Sequence, residues 1–359
     1  MISMTHLSPE LAQTIEDIQP HSERWRHIAL GHLDQLTKPH GSLGRLEEIA
    51  ARLVAIQQNP RPSCDGKAVY VFAADHGVVA EGVSAYPQEV TTQMVLNFLR
   101  GGAAVNVLAR TVGASVVVVD MGVAGDFPPA PGLVLAKVRR GTRNFLREPA
   151  MTRDELFAAI NTGLRLAQLA SNEGCKILAV GEMGIGNTTS ASALTSVITK
   201  TDPEQVTGAG TGIADEARKH KVDVVRQAIA QHAKEMADPL SMLACLGGYE
   251  IAAMTGMILG AAARHIAVVI DGFISTSAAA LAFLIAPASR DYMLAGHTSQ
   301  EPGHRILLDY MGLDPLLNLN MRLGEGSGAV LAFSIVEAAV RVYNEMATFA
   351  SAGVSQKAE

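Results

Sequence analysis

Four short apolar runs, at 68–73, 115–119, 176–180 and 266–270, constrain this chain more than any other feature. Each is continuous rather than alternating, as expected of strands buried on both faces. Segments with helical periodicity lie between them. The clearest runs from Thr152 to about Asn172; it opens with a capping box (Thr152, Glu155) and stops before Gly174. Strands alternating with helices predict an α/β fold with a mostly parallel sheet and helices on both faces.

The first 60 residues read differently, as helices alone. Ser8-Pro9 is an N-cap followed by proline at the first helical position. Leu46, Ile49, Leu53 and Ile56 recur at helical spacing over about 42–58, and Pro60 and Pro62 close the region. No repeat or low-complexity tract interrupts the 359 residues. The most apolar stretch, 251–287, is broken by Arg264, His265 and Asp271, so no piece reaches the roughly 18 residues of a membrane span. The first ten residues show neither a basic stretch nor an apolar core, and no signal peptide is expected. Three widely spaced cysteines, Cys64, Cys175 and Cys245, fit reduced thiols in a cytoplasm, with Cys175 and Cys245 as core. A net charge of −6 argues against nucleic acid as a partner, and 4% aromatics leave little for stacking single strands.

The four runs end in Ala74-Asp75-His76-Gly77, Asp120-Met121-Gly122, Gly181-Glu182-Met183-Gly184 and Asp271-Gly272-Phe273. Open α/β sheets bind ligands beyond the carboxyl ends of their strands. Glycine beside a carboxylate is common at turns, but four such exits together predict one shared site.

The chemistry concentrates in three glycine clusters. Gly181-Glu182-Met183-Gly184-Ile185-Gly186-Asn187-Thr188-Thr189 sits between a strand and a helix start, where free backbone N–H groups and the helix dipole suit an anion. Its spacing is neither that of a dinucleotide fingerprint nor that of a P-loop, so it points to a mononucleotide phosphate. The second cluster, Gly208-Ala209-Gly210-Thr211-Gly212, leads into a helix with Arg218, Lys219 and Lys221. By spacing alone, a lysine there belongs on a solvated face more readily than on a phosphate. The third, Met321-Arg322-Leu323-Gly324-Glu325-Gly326-Ser327-Gly328, sets a glutamate between glycines before a helix from about Ala329. A carboxylate there can simply stabilise the helix dipole, by about 0.3–1 kcal/mol, but that role needs no flanking glycines.

No zinc-binding or metalloprotease spacing of His and Cys is present, and no nucleophile elbow, so neither a metal nor a cofactor is expected. Asp75-His76 is open to a catalytic, lining or turn role. Two rival functions share the pattern: a dinucleotide-dependent oxidoreductase, against which the glycine spacing speaks, and a non-catalytic nucleotide-binding protein, against which both glutamates speak.

Over nearly its whole length the chain resembles the nicotinate-nucleotide–dimethylbenzimidazole phosphoribosyltransferases of cobalamin assembly. The matching residues include Lys38-Pro39-His40-Gly41-Ser42-Leu43-Gly44-Arg45-Leu46-Glu47, Ala74 to Val78, Pro87-Gln88-Glu89-Val90-Thr91, the first and third glycine clusters and Asp271-Gly272-Phe273. The resemblance implies a homodimeric transferase that moves the phosphoribosyl group of nicotinate mononucleotide to 5,6-dimethylbenzimidazole or a related base. It implies a Rossmann-like large domain over 63–328, and a small helical domain from both termini, 1–62 and about 329–359. Glu325 matches the catalytic glutamate, expected to be the general base with its pKa raised beside Leu323. Glu182 matches a second active-site carboxylate. Gly184, Gly186, Asn187, Thr188, Gly208, Gly210 and Asp271 are expected around phosphate and ribose. Lys221 resembles the family's phosphate lysine, which reverses the solvated reading. Tyr86, Met183 and Leu323, with Gln93 or Met94, would form the base pocket. Tyr86 departs from several relatives, which carry a small residue such as serine there, and so bears on base selectivity.

Overall fold

The computed structural model describes residues 7–210, 212 and 214–355. Thr211 of the second glycine cluster lies outside them. Six strands form the sheet: β1 (Ala68–Ala74), β2 (Ser115–Gly122), β3 (Leu133–Leu135), β4 (Ile177–Met183), β5 (Ala267–Ile270) and β6 (Met293–Ala295). Their order is β3-β2-β1-β4-β5-β6, and every neighbouring pair is parallel. This is a Rossmann-like doubly wound order, with its reversal between β1 and β4. All seven residues of β1 are buried, which explains its unbroken apolar run.

The four expected strands are present, within a few residues of their expected bounds. The two edge strands β3 and β6 lie outside the expectation; three residues carry no readable period. The helix Arg153–Asn172 starts from the Thr152 cap as expected, with Glu155 accepting from the Thr152 N–H at 2.7 Å. It packs on the wholly buried helix Tyr249–Ala262, which with Phe273–Ile285 accounts for the very apolar stretch. Among the described residues, no helix is long and apolar enough to cross a membrane. Cys64, Cys175 and Cys245 are free and buried.

The helix expected over 42–58 begins later, as Arg45–Gln57, because left-handed Gly41 and Gly44 hold a turn before it. Lys38 reaches back into that turn and pairs with Glu47 at 2.9 Å. The chain ends meet. Phe349 N–H donates to the Gln35 carbonyl at 2.9 Å, and Asn344 donates to the Pro62 carbonyl at 2.8 Å. The long C-terminal helix Ser327–Glu345 is also tied to the sheet side by Lys67 and Glu337, 2.6 Å apart.

Candidate active site

A cavity of about 440 Å³ opens over the carboxyl ends of β4, β5 and β6. Its floor comes from the loop after β4. Gly184 lies so close to the end of β1 that a Cβ there would sit 2.3 Å from the Ala74 carbonyl oxygen. The helix Asn187–Thr199 then starts from left-handed Gly186, with the Asn187 and Thr189 N–H groups bonded back to the Gly184 and Gly186 carbonyls at 3.1 and 3.0 Å. Thr188 lines this floor, and its Oγ1 accepts from the Lys221 ammonium at 2.7 Å. Lys221 is 1% exposed, on the helix Asp215–His232. Burial pulls its pKa down to about 8, against a partial offset from Glu301.

The two glutamates meet above this floor. Glu182, near the end of β4, accepts from the Asn187 side-chain amide. Burial raises its pKa to about 8, and the charges of Asp271, Glu250 and Glu325 add to the rise. Glu325 arrives from the other side, on a loop in which three successive residues are left-handed, with φ of 87° at Gly324, 66° at Glu325 and 90° at Gly326. For a non-glycine residue such a conformation costs on the order of 1–3 kcal/mol, and strain of this kind gathers at functional sites. Its backbone lies flat on β4: a Cβ on Gly181 would stand 2.2 Å from the Glu325 carbonyl oxygen. The glycine at 181 therefore serves packing of the Glu325 loop. A Cβ on Gly324 would meet the Glu182 carboxylate at 2.4 Å. One oxygen of Glu325 accepts from the Val105 N–H at 3.2 Å, in the first turn of the helix Ala104–Val112. Burial raises the Glu325 pKa; the Val105 bond works against the rise and Asp271 with it. Leu323 is 57% exposed, so its side chain is not what dries this carboxyl group.

Asp271 does not line the cavity, contrary to the expectation of a ribose contact. Its two oxygens accept from the N–H groups of Gly326, Gly328 and Ala329 at 3.1, 2.7 and 2.9 Å. It thus caps the C-terminal helix from β5 and fixes the Glu325 loop. His297 stands 3.5 Å from the same carboxylate. Burial opposes its charge, yet Asp271 raises its pKa above the ordinary value.

Of the expected residues, Tyr86, Met94, Met183, Gly184, Asn187, Thr188, Gly210, Leu323 and both glutamates share the cavity wall. Gln93 does not; it is exposed on the helix Glu89–Leu99, while Met94 faces inward. Gly186, Gly208 and Lys221 sit behind the wall. The exit of β2 departs from the single-site expectation, since Asp120 is spent on Lys137 at 2.8 Å and on the Val123 N–H. His76 is buried against Glu250 at 2.6 Å and supports the glycine loop from below. Asp75 accepts from the Ala124 N–H at 2.7 Å. Lining residues that escaped the sequence include Glu301, whose carboxylate accepts from the Gly210 N–H at 3.0 Å, Arg322, which donates to the Gly210 carbonyl, and His297, Ser299 and Ile274. Arg322 adjoins Glu325 in a motif already noted, whereas Glu301 carries no local signal. Among the described residues, one group of possible metal ligands occurs, His232, Glu235 and Cys245, and none of the three lines this cavity.

A helix-start anion cradle with a buried lysine behind it, facing two carboxyl groups across an apolar wall, defines a nucleotide-handling group-transfer site on a Rossmann-like sheet. Known proteins agree. A phosphoribosyltransferase family model matches residues 18–354. The nicotinate-nucleotide–dimethylbenzimidazole phosphoribosyltransferase of Chloroflexus aurantiacus is 54% identical over 96% of this chain and 98% of its own. The protein of that name from Geobacter sulfurreducens is 51% identical over 96% and 98%. The crystal structure of CobT from Thermus thermophilus superposes with a TM-score of 0.90 at 49% identity, covering 93% of this chain and 100% of that one. The chain belongs to the nicotinate-nucleotide–dimethylbenzimidazole phosphoribosyltransferase family.

Proposed function

We propose that this chain transfers the phosphoribosyl group of nicotinate mononucleotide to 5,6-dimethylbenzimidazole or a close relative, with Glu325 as the general base. The observation that carries the reading is the convergence of Glu182 and Glu325 in one cavity whose floor is a helix N-terminus backed by Lys221. The 5′-phosphate sits on the loop from Gly184 to Thr188, with Gly210 alongside, Gly208 behind it and Lys221 as the counter-charge. The base lies against Met94, Met183, Leu323 and Tyr86.

The C1′–N bond to nicotinate breaks with its electron pair on the departing pyridine nitrogen, so no acid is needed for the leaving group. Positive charge develops at C1′, and Glu182 stabilises it. Without ligand, burial and the neighbouring carboxylates favour the protonated form of Glu182. The cationic pyridinium and the developing charge draw it toward the carboxylate. One nitrogen of the benzimidazole forms the new bond to C1′, and the proton on the other passes to Glu325. A carboxyl group with a raised pKa is a stronger base for that transfer. Asp271 acts by holding the Glu325 loop. The products are α-ribazole 5′-phosphate and nicotinate.

In the same reading, the described residues of 1–62 and of about 329–359 form a small helical domain on the 63–328 body, supported by the bonds that join Gln35 to Phe349 and Pro62 to Asn344. The working unit is a cytoplasmic homodimer, as the family resemblance implies. The test of the activity is direct. Purified protein with nicotinate mononucleotide and 5,6-dimethylbenzimidazole should yield a product with the mass of α-ribazole 5′-phosphate and an equivalent of nicotinate. Nicotinate release without the riboside product would mean hydrolysis and overturn the proposal.

A further inference from the structure

We propose that His232, Glu235 and Cys245 bind a thiophilic divalent cation of the zinc class, away from the substrate cavity. A ring nitrogen of His232, a Glu235 carboxylate oxygen and the Cys245 Sγ lie within 4.8 Å of one another. His232 ends the helix Asp215–His232, and Cys245 lies on the helix Pro239–Leu246, so the tertiary fold assembles the set. The spacing His-x-x-Glu-x9-Cys matches no standard metal motif, so the sequence alone did not signal it.

His232 is itself poised as a ligand. It is 1% exposed, and its Nε2 lies 2.8 Å from the Phe145 carbonyl oxygen, which fixes Nε2 as the protonated nitrogen. That leaves the Nδ1 lone pair on the side of Glu235, and this buried atom has no hydrogen-bond partner. A ring nitrogen oriented by a backbone carbonyl on its far side is the usual arrangement of a metal-binding histidine. Nδ1 stands 3.6 Å from the Glu235 oxygen, too long for a good hydrogen bond. Two ligands on a tetrahedral zinc at bond lengths of about 2.1 Å would be roughly 3.4 Å apart, so the His232–Glu235 pair is already near that spacing. A cavity of about 330 Å³ opens beside Glu235 and Cys245, giving an entry path and room for a fourth ligand such as water. Arg143, on that cavity's wall, is already paired with Glu155 at 2.5 Å.

The ion would exchange for the Cys245 thiol proton, which leaves to solvent, so one proton is released per cation bound. Without a cation, burial and Glu235 push the Cys245 thiol up to about 11 and keep it protonated. The ion would clip together two helices, one of which carries Lys221 eleven residues upstream of His232, about 16 Å away along its axis.

Cobalt(II) is the probe. Chelator-treated full-length protein titrated with cobalt(II) should develop a thiolate-to-cobalt charge-transfer band saturating at one equivalent, bleached by zinc(II). Cys245→Ser should abolish the band, and Glu235→Gln, at an exposed side chain, should weaken cobalt at least about tenfold. Absence of the band in folded wild-type protein, or its survival in Cys245→Ser, overturns the site. If Cys245→Ser does not fold, Glu235→Gln decides: an unchanged cobalt affinity sinks the assignment.

Discussion

Lys221 binds its charge at a cost to the fold, and replacing it should stabilise the ligand-free protein while crippling substrate binding. Burial lowers its pKa from 10.5 to about 8. At about 1.4 kcal/mol per pKa unit, the charged form at pH 7 costs the folded chain roughly 3 kcal/mol. Lys221→Met fills a similar volume without the charge and loses the hydrogen bond to Thr188, worth about 1 kcal/mol. The net gain is about 2 kcal/mol. For 359 residues at an unfolding entropy of about 2.1 cal/mol/K per residue, Tm should rise by about 3 °C. Below pH 8 both folded and unfolded lysine are protonated, so the cost is complete. Between pH 8 and 10.5 the unfolded chain binds a proton that the folded chain does not, so the wild type gains stability as pH rises. The gap between mutant and wild type should therefore close by about pH 10. Calorimetry at pH 7 and pH 10 reads this difference. Nicotinate mononucleotide should raise the wild-type Tm and leave the mutant's nearly unmoved. A mutant no more stable than wild type at pH 7, or a gap indifferent to pH, would refute the reasoning.

Gly181→Ala should lower kcat more than it raises KM, because its Cβ must displace the Glu325 carbonyl now 2.2 Å from that point. Overpacking of this kind costs about 1–3 kcal/mol, and unchanged kcat with unchanged Tm would show that the loop yields freely. Tyr86, half exposed at the rim among the base-side residues, should set base choice. Tyr86→Ser should shift the product ratio from mixed benzimidazole and purine bases while leaving the KM for nicotinate mononucleotide within about twofold; an unaltered ratio would remove Tyr86 from the base pocket.

Much of the sheet was legible because strands buried on both faces must be apolar throughout, as β1 is from Ala68 to Ala74. Their order was not legible, since nothing local records which strand neighbours which. Glu182, Glu325 and the glycine loop could be read because chemistry there needs particular residues at close spacing. Asp120 and Asp271 show the limit. Both follow apolar runs beside glycine, yet one neutralises Lys137 and the other ties down three N–H groups of the Glu325 loop. Only tertiary distance separates such roles. Lys221 shows the converse, since its place behind Thr188 depends on a helix whose burial the charged run 218–221 conceals. Gly181 opens a loop expected to suit an anion, yet its own missing side chain makes room for the Glu325 backbone.

The central claim is that Glu325 accepts the proton released by the attacking base. The sharpest test is kcat for Glu325→Gln under saturating substrates, across pH, in protein whose circular dichroism and Tm match wild type. General-base removal predicts a loss of about 10²–10⁴. In the wild type, kcat should rise with pH through a limb set above the ordinary carboxylate range, as burial of Glu325 requires, and the mutant should lack that limb. A mutant with wild-type-like kcat, or with the same limb intact, would contradict the account.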